Sequence, residues 1–180
     1  MKLIEEYKNG YNLFRLDNDA DYIKHERMLY RAFFDKYPWY VKICFNVIED
    51  RLISKIPYQN QVIYNLMKND EIVCGYSYCN NYKQTFQVEM IGFKIAKNET
   101  VYEGLHFYSD LDRKYNSLEI ISSGLKVVKY IDQELRSNGI KTVYSSCEPD
   151  YINSYKMLDF KKIDEITTKE YSEALLIKYL

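Results

Sequence analysis

Glycine and proline are scarce, with six and three residues in a chain of 180. That is about half the usual share and excludes collagen-like, low-complexity and linker-rich organisation. Cysteine occurs only at Cys44, Cys74, Cys79 and Cys147, without the C-x2-C spacing of zinc sites. So few make no disulfide framework and read as reduced, mostly buried thiols of a cytoplasmic protein. Histidine is rarer, at His25 and His106. Two are too few for most histidine-rich metal sites, so no metal is expected. No apolar run approaches the roughly 20 residues that span a bilayer. The N-terminus turns acidic at Glu5 and Glu6, unlike a secretory signal. Neither charge is in excess: 25 Lys and Arg stand against 26 Asp and Glu, for a net charge of −1. Proteins that neutralise many phosphates carry a basic excess or stripe. Neither nucleic acid nor a membrane is therefore the expected partner.

What the chain has is apolar and aromatic bulk. Twenty Tyr, eight Phe and one Trp make 16% of the residues, and 47% are hydrophobic. Disorder is excluded, and the length is one domain's worth at about 150 residues per domain. The tyrosine richness fits a tyrosine-lined pocket and AT-rich codon usage equally well.

Periodicity gives a mixed α/β order. A strand is expected over 11–16, then capping residues Asp17, Asn18 and Asp19, then a helix over 20–36 with Tyr22, Leu29 and Phe33 at helical spacing. Pro38 should end it. A second helix is expected over 40–53, with Val41, Phe45, Ile48 and Leu52 on one face. Runs of β-branched and aromatic residues over 62–67 and 72–79, joined by a polar turn, predict a hairpin. Extended segments over 85–95 and 101–108 follow, then a polar loop over 109–117. A strong amphipathic helix over 124–138 carries Leu125, Val128, Ile131 and Leu135 inward and stops at Asn138-Gly139. A strand over 140–147, a helix from Pro149 to about Leu158, and strands over 161–166 and 174–179 complete the pattern.

Familiar catalytic motifs are missing: H-E-x-x-H, the P-loop, G-x-G-x-x-G and G-x-S-x-G. Gly75-Tyr76-Ser77-Tyr78-Cys79 is the nearest miss, and it reads as plain strand. The informative stretch is Ser122-Ser123-Gly124, small residues placed immediately before the amphipathic helix. The first amides of a helix lack internal partners and its dipole favours negative charge, so these residues could cradle a pyrophosphate. Serine capping of an ordinary helix explains the same residues.

From Ile72 to the C-terminus, about 60% of the chain, the sequence resembles the GNAT superfamily of acyl-CoA-dependent N-acyltransferases. The residues from Leu125 through Gly139 to Tyr144 look like the family's cofactor-binding helix and following strand. Ser154-Tyr155-Lys156-Met157-Leu158-Asp159-Phe160 is similar to its Tyr-x-x-x-Gly-Phe helix end, and Asp70-Glu71-Ile72-Val73-Cys74-Gly75-Tyr76 to its acidic turn and Ile-Val-Gly-Tyr strand. There are departures. In Glu119-Ile120-Ile121-Ser122-Ser123-Gly124 an acid replaces the usual Gln or Arg, and serine replaces the first glycine of Gln/Arg-x-x-Gly-x-Gly/Ala. Arg113 lies upstream as a substitute cation, and Asp159 stands where Gly is usual.

The resemblance implies a single GNAT-like α/β domain over 1–180: a mixed, mostly antiparallel central sheet with helices on both faces. It implies transfer of an acyl group, most simply acetyl, from acetyl-CoA or another acyl-CoA to an amine on a small molecule or peptide. Phe107 and Tyr108 on the central strand, Arg113, Ser122, Ser123, Gly124 and Leu125 would bind the cofactor. Tyr155 would protonate the leaving thiolate. Glu103 is the preferred general base over His106, because positions 103 and 106 take opposite faces of a regular strand; Glu89 is the reserve. A catalytically silent GNAT-like binding module, and an acyltransferase fed by acyl carrier protein, are the alternatives. A homodimer is compatible with the resemblance.

Overall fold

The protein is described from a computed structural model over residues 1–7, 10–109 and 117–180. In chain order the first elements are β1 (Lys2–Glu6), β2 (Asn12–Arg15), α1 (Asp19–Phe33), α2 (Pro38–Cys44), β3 (Phe45–Ile48) and β4 (Arg51–Ser54). They are followed by β5 (Gln61–Lys68), β6 (Glu71–Cys79), α3 (Gln87–Ile91), β7 (Val101–Ser109) and α4 (Ser117–Ser137). The last are β8 (Thr142–Cys147), α5 (Ile152–Lys156), β9 (Lys161–Thr167) and β10 (Ser172–Tyr179).

Eight strands form one sheet in the order β1-β2-β5-β6-β7-β8-β10-β9. Every neighbouring pair is antiparallel except β7 and β8, which run parallel. The expected mixed, mostly antiparallel sheet is what forms. One face is covered by α1, α2, α3 and the β3–β4 hairpin, through Met28, Leu29, Val41, Cys44, Leu52 and Val88. The other is covered by α4 and the segment after β8, through Val127, Ile131, Leu135 and Phe160. All four cysteines are buried and unbridged. Among the described residues, no helix is long and apolar enough to cross a membrane.

Local chemistry accounts for the elements. Asn18 caps α1, its side-chain oxygen accepting from the Asp21 amide at 3.1 Å. Pro38 does not simply end α1; it opens α2 at the first helical position, where no amide hydrogen is needed. The helix expected over 40–53 is corrected to the short α2 followed by the β3–β4 hairpin. Phe45, Val47 and Leu52 suit strands, and Glu49 takes a left-handed turn conformation at φ 54°. The extended segment expected over 85–95 instead contains α3, for reasons that lie at the candidate site. The helix expected from residue 124 begins at Ser117. The N-terminal strand β1, paired to β2 at the sheet edge, had too little alternation to stand out.

Asp159 follows α5 with φ 66°, inside the left-handed region that favours glycine. Next to it, the Phe160 amide donates back to the Tyr155 carbonyl at 3.1 Å and closes the turn. The residue that departs from the family motif therefore keeps the motif's backbone conformation, which Asp tolerates better than most side chains. Asp159→Gly should relieve that strain and stabilise the fold by up to about 1 kcal/mol in urea denaturation. A loss of stability would show that the Asp159 side chain holds the turn.

Candidate active site

β7 and β8 are hydrogen-bonded only at their beginnings. Val101 faces Thr142, Tyr102 faces Val143 and Glu103 faces Tyr144, and there the parallel ladder ends. β7 continues along β6 to Ser109, while β8 continues along β10 through Ser145, Ser146 and Cys147. The two strands splay into a wedge, and the polar backbone edge of β7 past Glu103 faces into it. A bulge in β7 falls between the pairs Tyr78–Gly104 and Ser77–His106. It breaks the two-residue alternation, so Leu105 and His106 both turn toward the α1–α2 face. Gly104 is required where it stands. A Cβ there would lie 2.7 Å from the Tyr76 hydroxyl.

The wedge opens into a cleft of about 730 Å³. Leu105, His106, Phe107 and Tyr108 line it from β7, Ser146, Cys147 and Glu148 from β8 and its end, and Ser154 and Tyr155 from α5. From the opposite side come Phe33, Tyr37, Trp39 and Tyr40, and from the start of β10 comes Glu173. Aromatic packing fixes this wall. Trp39 stacks on Tyr171 with centroids 4.1 Å apart, and the Tyr37 hydroxyl donates to that of Tyr151 at 3.0 Å across the cleft mouth.

Tyr155 sits on the α4–α5 side, edge-on to Phe160 with centroids 5.5 Å apart. Burial pushes its phenol well above the ordinary tyrosine range, aided by the nearby Cys147 thiol and opposed by a hydrogen bond from Ser145. It keeps its proton at neutral pH.

Glu103 does not line the cleft. Its two carboxylate oxygens accept from the Gln87 and Val88 amides, at 2.8 and 2.7 Å, and so hold the first turn of α3. The reserve candidate Glu89 is equally committed: it accepts from the Phe86 amide at 2.8 Å and pairs with Lys97. These two acids are why a helix forms within 85–95. The bulge also removes the argument that Glu103 and His106 cannot share a face, since both meet Gln87. Tyr40 donates to Gln87 Oε1 at 2.7 Å, and Gln87 Nε2 lies 3.0 Å from His106 Nε2. The other ring nitrogen of His106 lies 3.0 Å from the Ser77 hydroxyl. Burial drives His106 down to about 3, so the ring stays neutral and serves as a link in this chain.

Phe107 and Tyr108 line the cleft. Ser122 lies within α4 and Ser123 belongs to its second turn, so neither precedes the helix, while Leu125 lies inside it as the spacing predicts. Gly124 is buried, where an added Cβ would meet Cys74 Sγ and Phe107 Cζ at 3.9 Å. Its backbone lies past the four amides that a helix leaves free, and its place is a packing position between α4 and β7. Arg113 lies outside the described residues.

Sequence reasoning missed Glu173. It is 4% exposed, and burial raises its carboxyl to about 8, against a hydrogen bond from Ser146. The signal was available: Glu173, Leu175 and Ile177 share a strand face, which makes Glu173 an acid on a core-facing row.

No family model and no curated protein sequence matches the chain. Solved structures do match in shape. The CoA-dependent acyl-homoserine lactone synthase BjaI, solved with SAM and isopentyl-CoA, has a TM-score of 0.72 at 11% identity, over 94% of this chain and 83% of that one. A probable acetyltransferase from Staphylococcus epidermidis has a TM-score of 0.61 at 15% identity, over 94% and 98%. The ribosomal-protein-S18-alanine N-acetyltransferase from Escherichia coli has a TM-score of 0.56 at 11% identity, over 94% and 93%. The chain has the GNAT fold.

Glu103→Gln places an NH2 group against one of the two backbone amides that Glu103 now satisfies. It should cost about 1–3 kcal/mol in urea denaturation. Burial raises Glu103 from 4.5 to about 8, so the native state holds the proton more tightly than the unfolded chain. The stability linked to it is complete below the unfolded value and lost as pH rises through the native one. The wild type should therefore lose stability between these values more steeply than Glu103→Gln. Equal stability and equal pH slopes would contradict the anchoring role.

Proposed function

We propose that this chain is an N-acyltransferase, a single domain that moves an acyl group from acyl-CoA to an amine by direct attack. The observation that carries the reading is the wedge: a buried strand edge, released from its ladder at Glu103, beside the hydroxyl of Tyr155. Among the described residues no second strand pairs with β7 past Glu103 on that side, and buried backbone groups left without a partner there would cost about 1–3 kcal/mol each. An extended ligand with amides of its own, such as a pantetheine arm, can pair with them much as an added strand would. Phe107 and Tyr108 supply the adjoining side-chain surface. The residues present therefore fit an acyl-CoA.

In this reading a β7 amide past Glu103 stabilises the oxyanion of the tetrahedral intermediate. Tyr155 gives its proton to the sulfur as the carbon–sulfur bond breaks. The start of α4, where the first amides of a helix have no partner within it and the dipole favours negative charge, holds the pyrophosphate. That moves the anion cradle from Ser122-Ser123-Gly124 to the first turn from Ser117, and Gly124 serves by letting α4 approach Phe107. The named activities of the structural neighbours, a CoA-dependent synthase and N-acetyltransferases, are consistent with this chemistry. The buried, unbridged cysteines suit a reducing compartment, the cytoplasm.

Acetyl-CoA at 100 times its dissociation constant should stabilise the protein by about 2.7 kcal/mol, read as a rise in melting temperature. No rise with acetyl-CoA or longer acyl-CoAs would favour the silent binding module. Tyr155→Phe removes one hydroxyl and little packing. With an amine acceptor found by screening, its turnover should fall at least about tenfold, with the acetyl-CoA stabilisation unchanged. Unchanged turnover would remove Tyr155 from the mechanism.

A further inference from the structure

Glu173 lines the cleft with one carboxylate oxygen, Oε2, that has no hydrogen-bond partner among the described residues, although the side chain is 4% exposed. A buried carboxylate oxygen left without a partner is costly and calls for a donor from outside the fold. Position along the sheet says which side that donor comes from. On β10, Ala174 and Leu176 point to the α4–α5 face, where Tyr155 stands. Leu175 and Ile177 point to the α1–α2 face, and Glu173 shares their side. The two cleft groups therefore approach the wedge from opposite faces of the sheet.

We propose that Glu173 receives the acceptor's ammonium group on the α1–α2 side of the cleft and takes a proton from it as the general base. The proposal rests on the acyltransferase reading and adds the residue and the side from which the amine enters. Trp39, Tyr37 and Tyr40 wall that side, and aromatic faces attract a cation.

The protons balance. The ammonium brings three. The bound ammonium first drives the carboxyl's own proton to solvent; one of its three then passes to the Glu173 carboxylate at Oε2 and on to solvent, which frees the nitrogen pair to attack the thioester carbonyl. The carbon–nitrogen bond forms, the carbon–sulfur bond breaks with its electron pair on sulfur, and Tyr155 protonates that sulfur. The second proton leaves the nitrogen and restores Tyr155. The third stays on the amide. Burial supports the role, because a carboxyl raised to about 8 lies much nearer an alkylammonium, at about 10.4, than an ordinary glutamate does.

The neighbouring groups are mixed in charge. Glu148 raises Glu173 further. Tyr37, Tyr40, Cys44, Cys147 and Tyr155 feel its charge, and all five are held protonated by burial. Arg31, Asp35 and Lys36 line the same cleft nearer the end of α1.

The test is carboxyl NMR of the whole protein with carbon-13 glutamate, using benzylammonium chloride as the probe. One signal, absent from Glu173→Gln, should titrate near pH 8 in the free protein. Saturating benzylammonium should move that titration about 1–3 pH units lower, since an adjacent opposite charge favours the carboxylate. A signal that titrates identically with and without the probe overturns the proposal. In parallel, Glu173→Gln should lower kcat/KM for benzylamine at neutral pH by about 10²–10⁴-fold. Transfer to hydroxylamine, already neutral at that pH, should change little. An unchanged rate with benzylamine also overturns the proposal. The acyl-CoA reading fails separately: acetyl-CoA would give no thermal stabilisation of the wild type while the Glu173 signal still answered the amine.

Discussion

Hydrogen bonding between the parallel strands β7 and β8 stops at Glu103 and Tyr144, and the arrangement of the cleft depends on that stop. Backbone donors and acceptors inside a fold are nearly always paired, so an edge left open beneath two helical layers is an expensive feature. Several side chains keep it open. The bulge near Leu105 re-aims His106 toward Gln87 and Tyr40, while Glu103 holds the first amides of α3 beside the same strand. Gly104 lets the Tyr76 hydroxyl lie against the backbone where the strands part. β8, meanwhile, keeps its full ladder to β10 and stays in the sheet.

The wedge joins the two faces of the sheet, and burial favours the protonated form of both its chemical groups. Tyr155, on the α4–α5 side, is held as a neutral phenol and suits proton donation. Glu173, on the other side, is a carboxyl with an oxygen that has no partner among the described residues. Ser145 opposes the shift of the first and Ser146 that of the second, adjacent residues of β8 that alternate across the sheet. Desolvation, the largest cause of each shift, depends on the aromatic wall of Trp39, Tyr40 and Phe33 and on the packing of Phe160.

Much of this was legible from residue patterns, and the failures have physical reasons. The strands β5, β6, β7, β8 and β10 announce themselves through β-branched and aromatic runs, and Gly139, at φ 76°, stops α4 where the sequence indicates. The spacing of Val41, Phe45, Ile48 and Leu52 misled because residues on two hairpin strands can mimic a helical stripe over so short a span. The place of Tyr155 in the cleft was legible because the motif around it survives, down to a left-handed Asp159 in place of glycine. Glu103 was misassigned because alternation along β7 assumes a regular strand. A bulge is invisible to that rule, and so is an acid whose partners are backbone amides of a helix that propensity did not predict. Glu173 was missed for the opposite reason: its core-facing parity was readable, but its neighbours across the cleft are distant in sequence.

The central claim is that the open edge of β7 receives an extended acyl donor. Amide hydrogen exchange tests it most directly. On addition of acetyl-CoA, the wedge-facing amides among residues 104–108 should exchange markedly more slowly, while those of β5 and β6 stay as they were. Protection confined to another part of the chain, with residues 104–108 unchanged in the presence of bound acetyl-CoA, would contradict the account.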